Sequence, residues 1–159
     1  MEESEKRIME RQELDRRIEV GDIEFINRFF STDLSVAELV GSYNAGRRDF
    51  ADIGLCNLDL SGINLAGANL TGAKLVSTNL SSANLAGANL SYTYLAGANL
   101  NGANLTNANL TRAIMAGVNL ENANLRGAIS KGIEDHQAFY CNTVMPDGSV
   151  EIGPYWAEG

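Results

Sequence analysis

The apolar residues of this chain recur every five positions through its central half. From Arg48 to Gly127 the sequence divides into 16 blocks of five, and the central residue is Leu in 14 of them, the exceptions being Phe50 and Met115. Two places earlier the residue is Ala in nine blocks, and it is small or aliphatic in the others after Arg48. Polar residues, Gly and Ala fill most of the remaining places, so the pattern predicts two inward-facing positions in each block.

A period of five fits neither an α-helix nor a straight strand. Leucines five apart would rotate by about 140° around a helix, and they would alternate between the two faces of a strand. One turn in each block, at Gly, Asn or Ser, brings every Leu to the same side. The pattern therefore predicts a flat-sided coil of short extended pieces, which is an all-β solenoid.

Blocks such as Ala68-Asn69-Leu70-Thr71-Gly72 and Ala103-Asn104-Leu105-Thr106-Asn107 resemble those of the pentapeptide repeat family. The resemblance implies a right-handed quadrilateral β-helix of pentapeptide repeats, in which four blocks make one coil of 20 residues. It also implies a core built from the central Leu and the small residue. We expect about 4–5 coils and an N-terminal α-helical cap, and both ends of the chain are similar to those of cyanobacterial members.

Residues 20 apart should stack in columns, and the position before each central residue tests this expectation. On three sides of the coil this position is always Asn or Asp. On the fourth side it is Gly54, Lys74, Tyr94 and Ile114. We call this fourth side the Tyr94 side, and its separate composition supports the 20-residue coil independently of the family.

The Tyr94 side carries the candidate interaction patch, which consists of Lys74, Tyr92, Tyr94, Arg112 and Ile114. Tyr92 and Arg112 are 20 apart at one corner, which brings them close enough for the guanidinium to lie over the ring. Exposed patches that centre on Tyr and Arg mark contact sites. Three alternatives stay open: another part of the chain covers the patch, a partner or second copy binds it, or it has no role.

The residues before the repeats are predicted to be helical. Ser35 and Glu38 have the spacing of a capping box, which predicts a helix from about Val36 to Ala45, ended by Gly46 and packed on the first coil. Residues 2–20 are charged and helix-prone, and a more apolar helix is expected after Asp22 as its N-cap. The apolar residues of this second helix need a surface, for which the Tyr94 side, the cap and another subunit are the candidates.

The pattern breaks at Ser130 and Asp135 and returns at residues 138–140, as if a fifth coil were partly completed around a loop. A turn signal between Val144 and Val150 predicts a small hairpin. The apolar residues 152–156 are expected to pack back and are a second candidate cover for the Tyr94 side. The predicted organisation is a helical extension (1–33), a capping helix (34–47), the β-helix (48–142) and a C-terminal cap or tail (143–159).

The net charge of −8 is confined to the two ends of the chain. Residues 1–47 have eleven acidic and seven basic side chains, residues 48–127 have four of each, and residues 128–159 have five and one. The acidic balance argues against a basic nucleic-acid-binding surface. Because a DNA mimic needs negative charge along the rod, the neutral coils also argue against that role.

Residues for catalysis or metal binding do not cluster in the sequence. His136 is the only histidine, and we interpret it as a loop residue rather than as part of a Cys-His site with Cys141. One His and two Cys do not supply a tetrahedral zinc site. Cys56 and Cys141 are expected to lie roughly 20 Å apart as free thiols. We predict no enzyme activity, no catalytic, cofactor-binding or metal-binding residues, and no cofactor.

The predicted function is a non-catalytic protein-interaction or scaffold module. The expected partner is a protein or a second copy of the chain, bound through the N-terminal helices or the Tyr94 side, with no nucleic acid and no membrane. The charged N-terminus and the two cysteines favour the cytoplasm. The family resemblance implies one alternative, a DNA-mimic regulator of DNA gyrase or topoisomerase. An ice-surface binder is disfavoured because Thr71, Ser91 and Thr111 form only one incomplete hydroxyl column.

Overall fold

A computed structural model of the protein describes residues 2–157. Met1 and residues 158–159, the outer ends of the predicted extension and tail, lie outside the described residues. The helices are α1 (Glu3–Glu19), α2 (Ile23–Phe29) and α3 (Val36–Asn44). The strands are β1 (Phe139–Tyr140), β2 (Thr143–Val144), β3 (Val150–Glu151) and β4 (Tyr155–Trp156).

The repeat region forms a stack of coils joined by parallel single-residue bridges. Each bridge joins residues 20 apart, as the column test predicts. The four columns run from Asp49 to Ile129, from Gly54 to Glu134, from Asp59 to Phe139 and from Asn64 to Val144. Between coils the backbone N–H groups donate to carbonyls of the next or the preceding coil, as in Leu70 N–H to Asn89 O at 2.8 Å. The edges of inner coils are thereby paired along the stack.

The interior is filled by the two predicted positions of each block. Leu70 and Leu90 are fully buried, and Ala68 and Ala88 beside them are nearly so. Each corner between blocks holds one residue with a positive φ, a conformation that Gly adopts most readily. From residue 52 to residue 127 this residue is Gly at eight of the 16 corners and Asp, Asn, Ser, Tyr or Arg at the other eight. Tyr92 has this conformation as well, with φ 59°, so its side chain stands at a corner next to the Tyr94 side.

The Asn columns form side-chain ladders on the outside. The Oδ1 of Asn79 accepts from the backbone N–H of Ser81 at 3.1 Å, which stabilises the turn within the block. The Nδ2 of Asn79 donates to Oδ1 of Asp59 in the preceding coil at 2.9 Å, and Asn99 donates to Asn79 in the same way at 3.3 Å. On the Asp59 and Asn64 sides Asn therefore has two roles, one within the block and one between coils. On the Asp49 side the bond between coils joins Asn69 to Asp49.

The first coil is contacted by α3, whose predicted capping box is present. The hydroxyl of Ser35 accepts from Glu38 N–H at 3.3 Å, and Glu38 accepts in return from the Ser35 N–H at 2.8 Å. Leu39 is fully buried, and the hydroxyl of Tyr43 donates to the carbonyl of Ala66 at 2.8 Å. The helix ends at Asn44, one residue before the predicted end.

The last coil differs from the prediction of a loop. Ile129, Glu134, Phe139 and Val144 all bridge to the coil before, so the backbone keeps its register through the break at Ser130 and Asp135. The predicted hairpin is present, because β2 and β3 are antiparallel with Val144 opposite Val150. β4 pairs antiparallel with β1, which places the C-terminal tail against the last coil.

Candidate interaction surface

The Tyr94 side is covered by the N-terminal helices of the same chain. The rings of Phe29 and Phe30 lie edge-on to the ring of Tyr94, with centroids 5.4 and 5.9 Å away. Tyr94 is consequently only 8% exposed. The cover is the N-terminal segment and not the C-terminal tail, because the tail pairs with β1. Of the three alternatives for the patch, cover by another part of the same chain is the one that the structure shows for Tyr94.

The contacts with this cover explain why the Tyr94 side lacks Asn. A Cβ atom on Gly54 would collide with the carbonyl oxygen of Ser31, whose segment bridges to the first coil through Thr32. The Nζ of Lys74 donates to the carbonyl of Asp52 at 2.9 Å and lies 5.0 Å from the ring centroid of Phe29. The residues of this column differ from those of the other three because they form the docking surface for the residues before the repeats.

One ion pair joins the N-terminal half of α1 to the coils. Arg7 is 8% exposed, and its guanidinium donates two hydrogen bonds to the carboxylate of Asp52, with Nη2 to Oδ2 at 2.8 Å. Glu3 and Glu10 of the same helix also accept from Arg7, at 2.8 and 3.3 Å. Gly72 leaves the space that the guanidinium occupies, because a Cβ there would collide with Arg7. The ion pair thus holds the charged helix α1 against the surface of the coils.

The pKa shifts of this pair agree with its geometry. The hydrogen bond to Asp52 raises the pKa of Arg7, although burial opposes the rise. Burial acts to raise the pKa of Asp52, but the hydrogen bonds and charge of Arg7 hold it below its usual value. Both groups therefore stay charged at neutral pH.

A second ion pair joins α1 to the last coil. The Nη2 of Arg11 lies 3.4 Å from Oε2 of Glu134, the last member of the Tyr94 column. The Nε of Arg11 donates to Asp15 in α1 at 2.9 Å. With the Arg7 pair, this contact fixes α1 along the length of the Tyr94 side.

Between the two ion pairs a cavity of about 160 Å³ lies under α1. On the coil side it is lined by Tyr92, Tyr94, Arg112 and Ile114, four of the five residues of the predicted patch. On the helix side its walls include Arg7, Ile8, Arg11 and Gln12. Burial raises the pKa of Tyr94 to about 12, so its phenol is protonated at neutral pH.

Within residues 2–157 the guanidinium of Arg112 does not lie over the Tyr92 ring, although the spacing allows this contact. The cation–π contacts of the described residues join Arg17 to Phe25, Arg47 to Phe50, Arg48 to Tyr43 and Lys74 to Phe29. Tyr92 and Arg112 line the cavity instead. Because α1 lies over this part of the coil, both side chains face a cavity between the helix and the coil.

Sequence reasoning missed the helix half of this surface. Arg7, Arg11 and Leu14 recur at steps of four and three, which is a helix face, but two of the three are charged. The buried position of Arg7 in the structure shows that this face is the contact face, and no rule of residue spacing predicts that burial.

The remaining reactive side chains do not form a site in the part of the chain that the structure covers. His136 is exposed, and Asp135 beside it accepts from the Tyr140 hydroxyl at 2.7 Å. Burial and this bond raise the pKa of Tyr140. Cys56 and Cys141 are free thiols, and burial raises the pKa of Cys56. Within residues 2–157 no group of His, Cys, Asp and Glu is arranged to hold a metal ion.

Comparison with known proteins identifies the repeat. A family model for pentapeptide repeats matches eight copies over residues 49–87 and 88–127. A solved pentapeptide repeat protein from the cyanobacterium Nostoc Pcc 7120 is 36% identical, over 65% of this chain and 78% of that one, with a TM-score of 0.36. The chain belongs to the pentapeptide repeat family.

Members of the family fold as right-handed quadrilateral β-helices and are generally structural or interaction modules. A solved member from the cyanobacterium Cyanothece 51142 is 50% identical to this pentapeptide repeat protein, with a TM-score of 0.50. That match covers 50% of this chain and 54% of the other, so the match spans about half the length of that relative. A member from the Arabidopsis thaliana thylakoid lumen is 33% identical over 63% of this chain and 66% of that one, with a TM-score of 0.37. No curated protein matches.

No helix within the described part of this pentapeptide repeat protein has the length and apolar character to cross a bilayer.

Proposed function

We propose that this protein is a non-catalytic interaction module that binds a protein partner, or a second copy of itself, through its N-terminal helices. We further infer that the repeats make a right-handed stack of five coils with α3 as the N-terminal cap. In this proposal the coils are a stiff support, and the Tyr94 side anchors the binding helices to it.

The distribution of exposed apolar side chains carries the proposal. Eleven large apolar side chains are exposed among residues 2–157, and all except Val40 and Ile129 fall into two groups, at residues 8–23 and 150–156. The N-terminal group is Ile8, Met9, Ile18, Val20 and Ile23, and the C-terminal group is Val150, Ile152, Tyr155 and Trp156. Clustered apolar exposure of this kind is typical of contact surfaces.

The N-terminal group supports a binding surface better than the C-terminal one because a groove adjoins it. The groove lies between α1 and α2, and Met9, Phe25 and Phe29 make its apolar walls. Lys6, Glu10 and Glu13 stand at its rim. An apolar floor with a charged rim is the arrangement found in the centre of protein interfaces. Ile18, Val20 and Ile23, at the turn that joins the two helices, extend the apolar surface.

The test is a triple variant, Ile18→Asn, Val20→Asn and Ile23→Asn, because these side chains are 50 to 68% exposed and their loss should not unfold the coils. The matched control is Ile129→Asn, which removes an equally exposed Ile from the last coil. Light scattering measures self-association, and affinity purification from the cells that make the protein compares the partners retained by each form.

We expect the triple variant to lose its partner, or to become monomeric, while the control behaves like the unmodified protein. Partners and mass that stay unchanged in the triple variant would contradict the proposal. An equal loss in Ile129→Asn would contradict it too, because the coils would then carry the contact.

A further inference from the structure

The cavity under α1 contains hydrogen-bond donors without protein partners. The guanidinium of Arg112 has no ion pair or side-chain hydrogen bond within residues 2–157, and neither do the phenols of Tyr92 and Tyr94. By contrast, Arg7 and Arg11 at the same cavity are both engaged by carboxylates. Arg112 is thus the cation at this cavity that no carboxylate in the described chain neutralises.

The acidic side chain that lines this cavity is already paired. Glu134 is the carboxylate that lines the cavity in residues 2–157, and it contacts Arg11 at 3.4 Å. Arg112 lies beyond ion-pair distance from it. An anion that entered the cavity would therefore meet one unpaired guanidinium and the neutral phenol donors of Tyr92 and Tyr94.

The volume and the apolar walls of the cavity determine the size and the chemical character of the anion that fits. Its volume is about 160 Å³, and a cavity of about 150 Å³ can hold a benzene ring. Ile8 supplies an apolar wall from the helix and Ile114 one from the coil. The rings of Tyr92 and Tyr94 offer aromatic surface for stacking or edge contacts.

We propose that this cavity binds a small aromatic carboxylate, with its ring between Ile8 and Ile114 and its carboxylate on Arg112. The phenols of Tyr92 and Tyr94 donate to the same carboxylate. Because its walls come from α1 and from the coils, the ligand contacts both parts and stabilises the docked position of α1. The proposal is independent of partner binding through Ile18, Val20 and Ile23.

Benzoate is the probe, and titration followed by nuclear magnetic resonance measures its binding to the full chain. We expect saturable shifts of amides in both α1 and the Tyr94 side, with a Kd of about 1 mM or tighter. Acetate has the charge without the ring, and benzyl alcohol has the ring without the charge. Each is expected to bind at least about tenfold more weakly.

Arg112→Gln is the test variant and Arg126→Gln its matched control, because both remove an exposed arginine from the same coil. We expect Arg112→Gln to weaken benzoate binding by about tenfold or more and Arg126→Gln to leave it unchanged. Benzoate shifts that do not saturate below about 10 mM would overturn the proposal. So would equal binding by the two variants, or acetate binding as tight as that of benzoate.

Discussion

Replacing Arg7 by Met should weaken the docking of α1 on the coils without unfolding the coils. The variant keeps a long apolar stem but removes both hydrogen bonds to Asp52. Breaking a buried ion pair costs about 3–5 kcal/mol, and losing an exposed one costs about 0.2–1 kcal/mol. Arg7 is buried, whereas the side chain of Asp52 is 43% exposed and regains water when the pair is lost. We therefore expect a cost of about 2 kcal/mol, between the two limits.

Amide hydrogen exchange measures this cost separately for the helix and for the coils. A cost of about 2 kcal/mol corresponds to roughly 30-fold more frequent opening, so the protected amides of α1 should exchange roughly 30-fold faster. Amides of the central coils, such as that of Leu90, should keep their rates, because their bonds run to neighbouring coils.

Arg16→Met is the control on the same helix. Arg16 pairs with Glu13 within α1 on the exposed surface, so its loss should leave the exchange of α1 nearly unchanged. Equal acceleration of α1 in the two variants would refute the reasoning. Faster exchange of the coil amides in Arg7→Met would refute it as well, since the pair would then support the whole fold.

Three further predictions concern the core, the Tyr94 side and the alternative function. Leu90→Ala removes a fully buried side chain from the central coil and should lower the free energy of unfolding by about 2–5 kcal/mol in denaturant titrations. Tyr94 has a folded-state pKa of about 12, above its usual 10, because of burial. Its contribution to stability should be complete below about pH 10 and be lost as the pH rises to about 12, and Tyr94→Phe should remove this part of the decline in unfolding midpoint. Because the coils are neutral, the protein should neither inhibit nor protect DNA gyrase in a supercoiling assay, and a clear effect would contradict this.

The period of five predicted the coil because its cause is local. Each block repeats the same turn, so the inward positions of Leu90 and Ala88 can be predicted from any other block. The helix α3 was predictable for the same reason, since Ser35 and Glu38 are three residues apart and bond to each other.

The cover of the Tyr94 side was not predictable from local spacing. Arg7 and Asp52 are 45 residues apart, and a charged residue in a charged helix gives no signal that it is buried. The regular last coil was missed for a related reason. The carbonyls and amides of the preceding coil fix its backbone, so Ser130 and Asp135 do not break it although they replace Leu.

The aligned side-chain amides of the Asn ladders give the neutral stack of coils a dipole along its axis. In each ladder bond the amide N–H points toward the N-terminal coil and the amide oxygen toward the C-terminal one. The amide dipoles therefore add head to tail, with their positive end at the first coil, much as peptide dipoles add in a helix. The ladder of Asn79 and Asn99 begins there with the carboxylate of Asp59, and the carboxylate of Asp49 accepts a single bond from Asn69 in the same direction. The negative charge thus lies at the positive end of the array, in the position that an acidic residue takes at the start of a helix.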